Sequence, residues 1–222
     1  VVDSSLSFSR TGMVFDNDNL DLKITGRNID ISKLKKYLPP KYLSTFLEYD
    51  PSGILKIDCS LKGLLNRRNN PDISINYSIE NGHVFYEKSN IKLTKLSLKG
   101  NFSNGILKSP ETSSLVIERL KCSLGSAEYS GTFGITNFMH PKIDLVFSGN
   151  IIPAELSEFL NIKEVSWSEG SVRLNFKLKG TLTLKDKYSL ADLMELNPEG
   201  DLRFISMGIG IKNNGLRIKD IN

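Results

Sequence analysis

The sequence predicts a mainly β protein: an elongated, twisted and curved antiparallel sheet built from two partial repeats, with a few short amphipathic helices. Three observations carry this expectation. Long runs alternate apolar and polar residues with a period of two. Helical patterns are few and short. The chain also resembles itself at a spacing of more than 100 residues.

The alternation is plainest in three runs. Leu55, Ile57, Cys59 and Leu61 fall on one side of a strand, with Lys56, Asp58, Ser60 and Lys62 on the other. Ile73, Ile75, Tyr77 and Ile79 repeat the pattern, and so do Val172, Leu174, Phe176 and Leu178. One wet and one dry face is the habit of antiparallel sheets, since buried parallel strands read as continuous apolar runs. Two runs change phase. Ile91 and Leu93 are odd-numbered whereas Leu96 and Leu98 are even-numbered, so a β-bulge is expected near Thr94-Lys95. A similar slip separates Leu115 and Ile117 from Leu120, Cys122 and Leu124.

Helices are expected at about 31–47, 153–161 and 189–196. The first follows Asp30 as N-cap and is interrupted by Pro39-Pro40, because proline lacks the amide donor. Pro153 opens the second. Ser189 and Asp192 resemble a capping box for the third.

The self-similarity orders these elements. DLKITGRNIDISKLKKYL from Asp21 corresponds to DLVFSGNIIPAELSEFL from Asp144, each a strand with a glycine (Gly26, Gly149) and then a short helix. Each is followed by an alternating strand that ends in Leu-Lys-Gly, at Gly63 and at Gly180. Beyond these, Pro71-Asp72-Ile73 is matched with Gly200-Asp201-Leu202, and Ile91, Leu93, Leu96 with Leu216, Ile218, Ile221. The expected organisation is repeat one over 20–100, connecting strands over 101–143 and a partial repeat two over 144–222, all within a fragment (1–222) of a longer protein. Sheet units of this kind extend by stacking edge to edge, so self-association through an edge strand is also expected.

Composition narrows the function classes. A net charge of +4 with little clustering beyond Lys33-Lys35-Lys36 and Arg67-Arg68 argues against a nucleic-acid partner. Cys59 and Cys122 stand in alternating patterns with no CxxC, and read as buried thiols. His83, in the Asn81-Gly82 turn, and His140, before Pro141, lack partners at metal-ligand spacing. Asp16-Asn17-Asp18-Asn19 has too few oxygen ligands for a calcium loop and reads as a turn. Gly208-Ile209-Gly210 lacks the third glycine of a nucleotide fingerprint, and Glu87, Glu111 and Glu118 form no sequence pair for glycosidase chemistry. Trp167, Tyr86, Phe102, Phe85, Phe133 and Phe138 are scattered aromatics, better suited to sheet packing than to a sugar platform. No catalytic residue, metal site or cofactor is expected.

The order of strand-Gly, the helix Leu156-Ser157-Glu158-Phe159-Leu160, the alternating strand ending in Leu178-Lys179-Gly180, then PEGDLRF and SMGIGIKNNGLRIKDIN resembles the C-terminal region of AsmA-like proteins of the Bacteroidetes type. The resemblance implies a repeating β-groove related to TamB and other bridge-like proteins. It implies a periplasmic location in a Gram-negative bacterium, with the parent protein anchored in the inner membrane. It further implies a non-catalytic part in outer-membrane biogenesis, with phospholipid or another acyl-chain lipid as partner and transfer between the two membranes as the task. On that reading Leu55, Ile57, Leu61, Ile73, Ile75, Val172, Leu174, Phe176 and Leu178 line the groove. The alternative is a periplasmic assembly scaffold with a closed core and no ligand.

Overall fold

The computed structural model describes residues 5–10, 19–66, 68–86, 89, 91–159, 165–183, 196–211 and 217–221. They form one eleven-stranded sheet in which each strand is hydrogen-bonded to its neighbours in sequence, so the order is a simple meander. In chain order the strands are β1 (Ser5–Arg10), β2 (Asn19–Asp30), β3 (Ser52–Leu64), β4 (Asp72–Phe85), β5 (Lys92–Ser103) and β6 (Ser114–Leu124). Then come β7 (Ala127–Thr136), β8 (Lys142–Ile151), β9 (Val165–Thr181), β10 (Asn197–Ile211) and β11 (Arg217–Ile221). All pairings are antiparallel, and β1 and β11 are the two outer edges of an open sheet. The mainly β, antiparallel fold expected from alternation is the fold observed.

Among the described residues, the helical segments sit in connections. A 3-10 helix (Ile31–Tyr37) follows β2, with Asp30 as its N-cap accepting from the Ser32 backbone amide at 3.0 Å and from the Ser32 hydroxyl at 2.7 Å. It stays short because the two prolines drive Leu38 and Pro39 into extended backbone, leaving seven residues. Pro40 then opens α1 (Pro40–Tyr49), which stops at Asp50 in the left-handed region. The second helix, α2 (Pro153–Phe159), joins β8 to β9. Of the third expected helix, 189–196, all but Leu196 lies outside the described residues.

The expected phase changes are bulges. The β5–β6 register shifts between Thr94 and Ser97, and Lys95 has φ 52°. The β6–β7 register shifts between Ile117 and Leu120. One assignment changes: Asn81, Gly82 and His83 lie inside β4, not in a turn. Asn81, at φ 52°, bulges the strand without ending it, because pairing with β5 resumes on both sides.

The pairing registers of the two self-similar stretches coincide. Leu22 faces Leu61, Ile24 faces Cys59 and Gly26 faces Ile57. At the matching places Leu145 faces Leu178, Phe147 faces Phe176 and Gly149 faces Leu174. Farther on, Val84 faces Leu93 and Gly82 faces Leu96, as Ile209 faces Ile218 and Met207 faces Ile221. Positive φ recurs too, at Gly53 and Gly170 and at Asn81 and Ser206. One correspondence moves. Ile73 faces Leu61 whereas Pro198 faces Leu178, so Asn197-Pro198 stands where Asp72-Ile73 stands, four residues before Asp201-Leu202. Pro198 and Gly200 hide this start of β10 from a search for alternation, although a first-turn proline is compatible with a strand.

The sheet does not close on itself. The 24.8 kDa chain exposes 14882 Å², whereas a compact monomer of that mass exposes about 10,200 Å². No large side chain is fully buried among the described residues. The buried apolar residues are Ile31, Tyr86, Leu124, Ala127 and Leu196, in or beside connections, together with Val172 and Leu178 in β9.

Close approach between strands sets a steric rule that can be tested. A Cβ on Gly100 would collide with the Val116 carbonyl and come within 2.6 Å of the Tyr77 hydroxyl, whereas on Gly134 its nearest neighbour is 3.8 Å away. Gly100→Ala is therefore expected to lose about 1–3 kcal/mol, the usual overpacking range. Gly134→Ala is expected to be neutral or stabilising by about 0.5 kcal/mol. Urea denaturation of the two variants checks the contrast.

Candidate functional site

Direct cross-strand partners share a face, so the registers fix which side chains line up. One row runs Ile24, Cys59, Ile75, Phe102, Leu115, Ile135, Ile143 from β2 to β8. The next runs Ile57, Tyr77, Gly100, Ile117, Phe133, Leu145, Leu178 from β3 to β9. A third runs Leu55, Ile79, Leu98, Leu120, Gly131, Phe147, Phe176 over the same strands. Together they make one apolar face across the sheet.

All nine expected lining residues stand on this face. Leu55, Ile57, Ile75, Phe176 and Leu178 lie in the rows above, and Leu61 faces Ile73 at one end of them. Leu174 lies between Gly149 and Leu202, and Val172 between Ile151 and Phe204. Seven of the nine are half-buried; Val172 and Leu178 are buried. Leu202, on the Leu174 row, is 60% exposed.

The face is richer than the alternation in three strands suggests. Phe102, Phe133, Leu145, Phe147 and Tyr129 belong to it and were not among the expected lining residues. The signal was present as Tyr129-Gly131-Phe133-Ile135 in β7, but a glycine breaks the apolar run. That glycine has a packing reason: a Cβ there would come within 2.5 Å of the Val146 backbone carbonyl, with Phe147 in ordinary contact at 3.5 Å. Tyr129 likewise covers Gly149 and stacks on Phe147, ring centroids 5.7 Å apart. Phe102 meets Phe138 at 6.1 Å. Phe85 is approached by the Lys92 ammonium, Tyr86 by Tyr49, and Trp167 stands opposite Gly210 on β10. Among the described side chains these aromatics are distributed along the sheet.

The opposite face is polar and laced with cross-strand ion pairs. Arg27 meets Asp58 at 2.9 Å, Lys56 meets Glu80 at 2.8 Å, Lys99 meets Glu118 at 3.0 Å and Lys179 meets Asp144 at 2.8 Å. Exposed pairs of this kind contribute little each, but they set which face is wet. The Asp58 carboxyl is held below the usual carboxylate range, first by the hydrogen bond from Arg27 and further by the Thr25 hydroxyl, against some desolvation. Glu118 is lowered by Lys99 and Asn101.

The residues considered for chemistry are dispersed. His83 is exposed on β4 and His140 is exposed in the β7–β8 connection. Both cysteines are free and half-buried rather than fully buried, and burial pushes both thiols up. Glu111 is exposed with its carboxyl lowered by the Ser109 hydroxyl; Glu87 and 16–18 lie outside the described residues. Among the described residues no three of His, Cys, Asp and Glu gather as a metal-binding group, and no helix is long and apolar enough to cross a membrane. Comparison with known proteins gives no match: no family model fits the chain, and no curated protein or solved structure is significantly similar.

The polar face makes a pH prediction. A depressed carboxyl stabilises the fold above its unfolded value, about 3.9 for aspartate, and that contribution is lost as pH falls through the folded value. Stability is expected to drop below about pH 4, with a smaller acid-induced loss in Asp58→Asn. Urea midpoints measured across the acid range check it.

Proposed function

We propose that the apolar face is a hydrophobic β-groove for acyl chains, and that the chain is a non-catalytic module of an AsmA-like protein. Its task on this reading is phospholipid transfer between membranes in outer-membrane biogenesis, in the periplasm, with the parent protein held in the inner membrane. The observation that carries the proposal is the half-exposed apolar face, continuous over most of an open sheet. Large contiguous apolar patches on a protein surface mark binding sites. Burying one aliphatic or aromatic side chain is worth roughly 1.5–3 kcal/mol, so a lipid chain laid along the rows recovers stabilisation that the fold leaves unrealised. The resemblance of the sequence to AsmA-like proteins supports the choice of phospholipid over other apolar ligands. The open edges at β1 and β11 support side-by-side association of sheets through paired strands.

Mass spectrometry of protein purified without detergent tests this. Wild type is expected to carry diacyl lipid. Leu202→Asp, at an exposed point of the face, should leave the thermal midpoint near wild type and deplete the lipid several-fold. Leu174→Asp should deplete it further at a modest loss of stability. Wild type free of lipid, together with a collapsed melt for Leu174→Asp, would favour the scaffold with a closed core instead.

A further inference from the structure

The 3-10 helix and α1 make a flap at the β2–β3 end of the sheet, and its surface has a character that the apolar face does not explain. Residues 31–49 carry four lysines, Lys33, Lys35, Lys36 and Lys41, against one acid, Glu48. Lys33 lies 3.8 Å from the capping carboxylate of Asp30. Lys35, Lys36 and Lys41 meet no carboxylate among the described residues. Interleaved with them are large exposed apolar groups: Tyr37 is 83% exposed, Tyr42 53% and Leu47 54%. No residue of α1 is buried. The helix is held by Tyr49, stacked on Tyr86 with ring centroids 5.1 Å apart, while Lys41 rests its ammonium 4.6 Å above the Tyr42 ring.

A helix whose inward residues, Leu43 and Phe46, are only half-buried gains limited stabilisation from tertiary packing, and ten residues are too few to be stable alone in water. Its exposed tyrosines and leucine therefore look for a second surface. Protein interfaces are depleted in lysine. The headgroup region of a bilayer takes both groups together, tyrosine at the interface and lysine on anionic phosphates. From this charge complementarity we infer that the flap docks on the surface of an anionic phospholipid bilayer. Docking is independent of acyl chains in the groove, because none of these side chains lies on the nine lining positions.

Flotation of the whole chain with vesicles tests it. Wild type should float with phosphatidylcholine vesicles containing phosphatidylglycerol and stay behind with pure phosphatidylcholine, and added salt should release it. Lys35→Gln/Lys36→Gln/Lys41→Gln should weaken vesicle partitioning about 100-fold, from the usual increment per surface lysine. Tyr42→Ser/Leu47→Ser should weaken it about tenfold at constant charge. Circular dichroism and melts should stay unchanged in both, since the altered side chains are exposed. Wild type that fails to float, or two variants that float as well as wild type, would overturn the inference. Lysine-dependent binding to duplex DNA without vesicle binding would overturn it in favour of a nucleic acid. Failure of flotation with lipid still copurifying would leave the acyl-chain groove standing.

Discussion

Ile24 faces Cys59, Cys59 faces Ile75, Ile75 faces Phe102, and the pairing continues to Ile143 without a polar side chain entering the row. A slip of one residue in any of these ladders would turn that strand's apolar set to the wet side. Register is therefore the constraint that the rest of the molecule serves. The ion pairs Arg27–Asp58, Lys56–Glu80 and Lys179–Asp144 join adjacent strands on the other side, and each sits only where the register is correct. Weak individually, they oppose a slip together with the apolar rows.

Strands of 12 to 17 residues cannot hold one phase over their whole length without adjustment. The chain adjusts with bulges at defined places. Lys95, Asn81 and Ser206 adopt positive φ, which costs most residues but is tolerated where one extra residue must be absorbed. Gly53 and Gly170, at φ 135° and 74°, lie in the matching partner strands, and a Cβ on Gly53 would press on Gly82 at 2.8 Å. The same device appears in corresponding places of the two stretches, and after it the ladders resume.

Much of this was legible because period-two alternation and its breaks are local signals. The β3, β4 and β9 faces, the bulge beside Thr94 and the N-cap at Asp30 can be read from a few neighbouring residues each. What escaped depends on partners distant in sequence. His83 looked like part of a turn because Asn-Gly is a common turn dipeptide, whereas pairing with β5 keeps it in a strand. The start of β10 was missed because Pro198 and Gly200 carry no alternation of their own; Leu178 and Phe176 opposite them define the positions. Tyr129 escaped for the converse reason, since its place on the face rests on Gly149, which it covers, and Phe147 is paired with Gly131, which breaks the apolar run of its neighbour.

Those glycines also bear on what the face can recognise. Gly100 lets Tyr77 lie over β5 and Gly149 lets Tyr129 lie over β8, so the large rings spread along the sheet instead of standing up from it. Rings laid flat in this way leave a broad surface rather than a deep, shaped pocket. Its polar groups are few, and the Tyr77 hydroxyl already reaches the Val116 carbonyl at 3.4 Å. A ligand lying there meets aliphatic and aromatic carbon over several strands and little that can read a headgroup. If the face holds amphiphiles as proposed, discrimination among them falls to chain length and to groups outside the face. On the proposed reading, an open sheet with one apolar side separates two tasks that a closed pocket combines: holding chains, which needs area, and choosing among heads, which needs placed polar groups.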